Sequence, residues 1–225
     1  MTCNFFYLMK SLSSFLLAVA FSSISLQAAA EQQYLKTTYS DGVFLTVCQT
    51  EVNASETQTN AVISRMIDEF HTTPVKLFDW ALKNLGMQGQ KNNEMIVVLK
   101  SSKFDKKTGI THGLVDVEVP NLQNFRNVRI DAVVKKENQS NGQLKASADV
   151  LQSGFLLKKA IGTVTSVPQH NGRQLLQTVT HIKFGWFLNL FISQKRYQSI
   201  VEWRVQEFTK NLQKEAEKAT IITTN

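Results

Sequence analysis

The chain has 225 residues, of which 43% are hydrophobic and 19% charged, with 10 glycines and 3 prolines. This composition is typical of a globular protein and excludes a disordered, collagenous or low-complexity chain. A chain of this length buries about 70% of the surface that it would expose when unfolded, so a single core needs neither disulfides nor a metal. The two cysteines, Cys3 and Cys48, are too few for a disulfide framework.

Residues 9–30 have the pattern of a secretory signal peptide. One positive charge, Lys10, precedes a short apolar run, and the segment ends in three alanines. The apolar run is shorter than the ~20 residues that a membrane-spanning helix needs, so a membrane anchor is the weaker interpretation. We therefore predict a signal peptide over residues 1–30, cleavage near Ala30 with export to the periplasm or the medium, and a single domain over residues 31–225.

The formal net charge of +7 raises the question of a nucleic-acid partner. The lysines and arginines are scattered along the chain and form no basic helix interleaved with aromatic residues, which is the pattern typical of nucleic-acid binding. We therefore expect no nucleic-acid partner and interpret the charge as a solvated basic surface. Peripheral contact with an anionic membrane is the second interpretation.

A strand and two helices are predicted at the start of the domain. β-Branched residues indicate a strand over Val43–Val52, in which the lone Cys48 is expected to behave as a small buried hydrophobic residue. The capping-box spacing that begins at Ser55 predicts an amphipathic helix. Thr73 followed by Pro74 indicates the start of a second short helix, and Gly86 indicates its end.

From Glu94 onward the apolar period changes from helical to two, which predicts about six antiparallel strands. Asn-Gly pairs at residues 141–142 and 171–172 indicate hairpin turns between these strands. A long helix follows, over about residues 192–218, and needs a sheet on which to pack. Its apolar stripe consists of Tyr197, Val201, Val205, Phe208 and Leu212.

This order of elements resembles the helix-grip fold of the START-related superfamily, which includes lipid-transfer domains, polyketide cyclases and coenzyme Q-binding proteins. The resemblance covers residues 41–218 and is one of element order; its most specific part is the exit from the last strand, residues 180–192. It implies an α+β fold in which a curved antiparallel sheet of about six to seven strands surrounds the C-terminal helix. It also implies a cavity for an apolar ligand, but no residue pattern from which a catalytic role could be transferred.

The histidines and carboxylates do not indicate a catalytic or metal site. His71 and His170 are expected to be solvated, and strand alternation directs His112 and His181 away from the apolar face. The same alternation predicts solvated outer-face carboxylates at Asp116, Glu118, Asp131 and Asp149. Because the chain also has no metal-binding, nucleophile-elbow or phosphate-loop motif, we expect no metal, no cofactor and no catalytic residue, and favour a binding protein over an enzyme.

The candidate ligand-binding residues are the small residues of the inner sheet face, the aromatic run after the last strand and the stripe of the last helix. They are Ala132, Ala146, Ala148, Phe184, Trp186, Phe187, Leu190, Tyr197, Val201, Val205 and Phe208. They favour an exported protein that holds a lipid-like or other small apolar molecule. Two alternatives stay open: a structural or interaction protein with a filled core, and an enzyme of the cyclase or isomerase kind.

Overall fold

A computed structural model describes most of the chain that follows the predicted signal peptide. The described residues are 33–85, 96–119, 123–139, 143–154, 156–169, 172–186, 189 and 193–222. The signal peptide itself lies outside them, and so do Gly86, Phe187 and Leu190.

Eight strands among the described residues form one antiparallel sheet. They are β1 Tyr34–Ser40, β2 Val43–Val52, β3 Ile96–Asp105, β4 Ile110–Val119, β5 Gln123–Asn138, β6 Leu144–Gln152, β7 Leu157–Pro168 and β8 Gln174–Phe184. Their order across the sheet is β1-β2-β8-β7-β6-β5-β4-β3, so chain neighbours pair throughout except where β8 returns to lie beside β2. Register shifts within four of the strand pairs bend the sheet, because an extra residue in one strand increases its local twist.

The predicted strand over Val43–Val52 is confirmed as β2, with Cys48 fully buried in it. β1 was not predicted from the sequence, and it adds an edge strand to the expected six or seven. A tight turn joins β1 to β2, and its two central residues, Asp41 and Gly42, have φ angles of 53° and 76°. Positive φ at both positions is the conformation of the hairpin turn whose twist matches that of antiparallel strands.

The predicted amphipathic helix is confirmed as α1, Glu56–Thr72. The Ser55 hydroxyl accepts a hydrogen bond from the Gln58 amide at 3.3 Å, and the Gln58 side chain accepts one from the Ser55 amide at 2.9 Å. The second short helix is a 3₁₀ helix, Pro74–Asp79, followed by turns that reach Leu85. It is shorter than predicted.

The long C-terminal helix α2 runs over Gln194–Ile222 and packs on β2 and β8. Two buried polar contacts accompany this packing: Thr209 Oγ1 lies 2.8 Å from Thr178 Oγ1, and Thr50 Oγ1 donates to Gln213 Oε1 at 3.3 Å. The α+β helix-grip architecture is therefore confirmed. No helix among the described residues is long and apolar enough to cross a membrane.

The core divides into two clusters on the inner face of the sheet. The first cluster joins α1, the 3₁₀ helix and the later part of α2 to the sheet, and includes Ile63, Leu176 and Leu212. The second lies toward the start of α2 and includes Phe44 and Val201. Residues of both clusters border a gap between the inner face of the sheet and the helices.

His71 corrects one expectation from the sequence. It was expected to be solvated, but its ring stacks on Phe104 with centroids 4.3 Å apart, and its Nε2 atom is buried. The end of α1 therefore packs against β3. His170 lies outside the described residues.

Removing the capping hydroxyl of α1 should destabilise the fold. We expect Ser55→Ala to lower the free energy of unfolding by about 1 kcal/mol, because the first turn of α1 loses its side-chain acceptor. Urea denaturation measures the change. The control is Thr57→Ala, an exposed position in the same turn, which should change the value by less than about 0.5 kcal/mol. Equal effects of the two substitutions would contradict a specific role for the cap.

Candidate ligand cavity

A row of small side chains crosses the middle of the inner sheet face. The strand register places Ala148 of β6 opposite Gly162 of β7, and Gly162 opposite Thr180 of β8. The row continues to Val134 of β5 on one side and to Thr46 of β2 on the other. Residues directly opposite each other on neighbouring strands share a face. Along this strip the side chains therefore project less far toward the helices than leucine or phenylalanine would.

A cavity of about 300 Å³ lies over this row and is called here the central cavity. Its sheet side is formed by Val134, Ala146, Ser147, Ala148, Gly162, Thr163, Val164, Thr178 and Thr180. Its helical side is formed by Met66, Phe70, Leu77, Ala81, Leu82, Leu85, Arg204, Val205 and Phe208. The volume lies at the lower end of the range found for small-molecule sites, and the lining is mostly apolar, as in such sites.

A second cavity of about 260 Å³, the side cavity, lies toward β3, β4 and β5. The two cavities adjoin, because they have four lining residues in common: Phe70, Leu77, Leu82 and Ala148. No aspartate or glutamate is found among the described residues that line either of them. The interior thus offers two neighbouring apolar volumes separated by side chains of α1 and the segment that follows it.

The structure brings some of the predicted site residues together and not others. Four of them line the central cavity: Ala146, Ala148, Val205 and Phe208. Ala132 lines the side cavity together with Ala148. Phe184 and Val201 are buried in the second core cluster beside the cavities. Trp186 is 67% exposed, and Phe187, Leu190 and the side chain of Tyr197 lie outside the described part of the chain.

Several lining residues were not among those predicted from the sequence. Met66 and Phe70 were recognisable as the apolar stripe of α1, and only the packing of α1 shows that this stripe covers the cavity. Gly162 was not recognised from the sequence, and Thr180 was recognised only as part of the last strand, because their juxtaposition with Ala148 depends on strand register.

Polar contacts hold the helical side of the cavity in position. The Arg65 guanidinium lies 4.0 Å over the Trp80 ring and 3.1 Å from Glu215 of α2, and Trp80 Nε1 donates to Glu69 at 2.7 Å. Asn211 of α2 donates to two backbone carbonyls of the segment after the 3₁₀ helix, at 2.8 and 3.3 Å. These contacts tie α1, the 3₁₀ segment and α2 to one another above the sheet.

The carboxylates Asp116 and Asp131 were expected to be solvated, and that expectation is wrong. Asp131 Oδ2 accepts from Arg129 at 2.8 Å, and Asp131 Oδ1 lies 2.8 Å from His112 Nδ1. Asp116 accepts from Arg126 at 2.8 Å and from the Asn127 amide at 2.9 Å. Both residues are less than a tenth exposed, because these partners cover them.

This arrangement has two consequences. Hydrogen bonds from Arg129 hold the pKa of Asp131 below its usual range, with His112 adding to the effect against the opposing cost of burial. Neither carboxylate lines the central or the side cavity. Among the described residues, no three histidine, cysteine or acidic side chains come together as a metal site.

No protein-family model matches the chain, and no curated protein matches it in sequence. Solved structures similar in fold include a START superfamily protein from Mycobacterium smegmatis, which is 15% identical over 78% of this chain and 98% of that chain, with a TM-score of 0.47. Human STARD10 is 10% identical over 91% of this chain and 81% of that chain, with a TM-score of 0.46. The di-domain ARO/CYC StfQ from the steffimycin biosynthetic pathway is 10% identical over 79% of this chain and 50% of that chain, with a TM-score of 0.47. Similarity of this degree concerns the fold alone.

The ion pairs of Asp131 predict a specific acid sensitivity. Because its pKa is lowered in the folded protein, the stability that Asp131 contributes is fully present above the unfolded pKa of about 3.9 and is lost as the pH falls through the folded pKa. We expect Asp131→Asn to lower stability at neutral pH and to flatten the acid limb of the plot of unfolding free energy against pH. Urea denaturation at a series of pH values measures both changes.

The matched control is Asp149→Asn, on the exposed face of neighbouring β6, where Asp149 forms no ion pair within the described residues. We expect its acid limb to keep the wild-type slope. An Asp131→Asn protein with an unchanged acid limb would show that the contacts with Arg129 and His112 carry no net stability.

Proposed function

We propose that this protein is an exported binding protein that holds a lipid-like or other small apolar molecule in the central cavity. The observation that carries the proposal is the volume over the row of small side chains, about 300 Å³, with a second apolar volume beside it. Protein interiors are packed as densely as organic crystals, so an apolar volume of this size between sheet and helices departs from ordinary core packing.

The energetics favour a bound occupant over an empty core. Apolar side chains around an unfilled volume lack the packing contacts that a filled core would give them. An apolar ligand gains about 25 cal/mol for each Å² that it removes from water, before the cost of association is subtracted. A molecule that fills the central cavity therefore offsets the packing defect and is bound by the same contacts.

The two alternatives raised by the sequence have less support. An interaction protein with a filled core does not need the central cavity. An enzyme of the cyclase or isomerase kind would need an acid and a base that reach the ligand. Among the described residues, the carboxylate that pairs with a histidine, Asp131, lies on the other face of the sheet, and no aspartate or glutamate lines either cavity.

Export and membrane contact are further parts of the proposal. Export is supported by the signal-peptide pattern of residues 1–30. Contact with an anionic membrane is supported by the 67% exposure of Trp186 and by the exposed cations Lys195 and Arg196 at the start of α2. A carrier of apolar molecules needs a surface from which to load them, and this end of α2 is the candidate.

Filling the central cavity should abolish binding. A Cβ atom at Gly162 would meet only Thr180 Cγ2, at 3.9 Å, which is an ordinary contact, so a larger side chain can enter the cavity there without strain at its first atom. We expect Gly162→Leu to raise the Kd for the neutral apolar dye Nile red at least about 10-fold. The thermal midpoint should stay the same or rise, because added methyl groups fill a void.

The control is Lys159→Leu, which adds the same side chain at an exposed position of β7 and should leave dye binding unchanged. Lipid extraction and mass spectrometry of the protein purified from its source cells test the same proposal independently. If wild-type protein neither binds the dye nor carries an extractable apolar molecule, the proposed function is wrong.

A further inference from the structure

The outer face of β2, β7 and β8 is apolar at positions where an antiparallel sheet usually carries polar side chains. Residues of β2 alternate between buried and partly exposed, and the partly exposed ones near its start are Val43, Leu45 and Val47. β7 and β8 continue the pattern with Ile161 and Val179, which are also partly exposed. These five residues are called here the outer patch.

Strand register brings the outer patch together. Leu45 and Ile161 lie on either side of His181, and Val47 lies opposite Val179 in the next row. Two strand spacings and four residues along a strand make the patch about 10 Å wide and about 13 Å long. The helices pack with the two core clusters on the inner face of the sheet, so no element in the described part of the chain covers the outer patch.

Lysines border the outer patch. Lys36 of β1 lies opposite Val47, and Lys159 of β7 lies directly opposite Lys183 of β8. Like charges directly opposite each other in a sheet are destabilising. Lys183 Nζ donates to the Asp41 backbone carbonyl at 2.9 Å, which is a neutral acceptor. The positive charge beside the patch therefore has no ion-pair partner within the described residues.

The charge around the outer patch favours an anionic occupant. Two carboxylates lie near it: Asp149 lies opposite Ile161, and Asp41 lies in the turn between β1 and β2. With Lys158, which is exposed beside Lys159, the lysines outnumber them. Two copies of this chain packed patch to patch would bring like charges together, whereas an anionic lipid surface has the complementary charge.

We propose that the outer patch is a docking surface for an anionic membrane. Its apolar side chains enter the headgroup region, and the bordering lysines contact the anionic headgroups. This inference rests on the proposed function, whose membrane contact it deepens. It extends that contact from Trp186 and the start of α2 to the outer face of the sheet.

The test is co-sedimentation of the protein, purified from its source cells, with lipid vesicles. Vesicles of phosphatidylcholine alone are compared with vesicles of phosphatidylcholine and phosphatidylglycerol in equal amounts. We expect binding to the anionic vesicles only, and weaker binding at high salt because salt screens the lysines. Lys36→Gln combined with Lys159→Gln should weaken binding about 10- to 30-fold, since each lysine at an anionic surface contributes a factor of about 5.

A matched pair of substitutions controls for net charge. Lys76→Gln combined with Lys214→Gln removes the same charge from exposed positions of the 3₁₀ helix and α2, away from the outer patch. We expect this pair to leave vesicle binding unchanged. Equal weakening by the two pairs would show that the vesicles respond to net charge alone and would overturn the docking surface.

The apolar part of the surface has its own test. Leu45→Thr combined with Ile161→Thr removes apolar contacts and introduces good strand formers, so the fold should be kept. We expect weaker binding to the anionic vesicles with an unchanged dependence on salt. Each single substitution gives the same test if the double variant does not fold. Unchanged binding would show that the apolar side chains do not enter the lipid.

The outcomes separate this inference from ligand binding in the central cavity. If the protein binds Nile red but not anionic vesicles, the docking surface is wrong while the cavity function stands. Self-association that Leu45→Thr abolishes, measured by equilibrium sedimentation, would then assign the outer patch to a second copy of the chain. If the protein binds anionic vesicles but neither Nile red nor an extractable apolar molecule, the cavity function fails and the docking surface stands.

Discussion

The cavity between sheet and helices depends on the distance at which α2 is held from the sheet. Thr209 meets Thr178 of β8 at 2.8 Å, and Gln213 accepts from Thr50 of β2 at 3.3 Å, so polar contacts at close range fix α2 on two adjacent strands. Beyond β8 the inner face is formed by Gly162 and Ala148, which are too short to reach the helix at that height. The cavity results because the contacts hold α2 at a fixed distance from the sheet, while the small side chains beneath it are too short to fill the space.

A gap of this kind persists only if the elements above it cannot collapse into it. Here α1, the 3₁₀ segment and α2 are joined by contacts whose geometry is directional, namely the Arg65–Trp80 stack, the Arg65–Glu215 ion pair and the Asn211 hydrogen bonds to backbone carbonyls. Moving the helices toward the sheet would break several of these at once. The polar network on the helical side thus maintains an apolar volume beneath it.

The two faces of the curved sheet have separate roles. The outer face carries Asp116 and Asp131, each covered by arginine and other donors, and these groups stabilise β4 and β5. The inner face carries the two apolar cavities. Strand alternation produces this division, and it keeps the carboxylates of the outer face away from a molecule bound inside.

Local patterns in the sequence determined the elements, and the tertiary structure decided how they combine. The Ser55 capping box, the strand at Val43–Val52 and the long C-terminal helix depend on spacings within a few residues, so the sequence alone predicted them. Strand register between β6, β7 and β8 and the rotation of α2 depend on contacts between residues far apart in the chain. For that reason only the tertiary structure placed Gly162 beside Thr180, brought Phe208 to the cavity and left Trp186 on the surface.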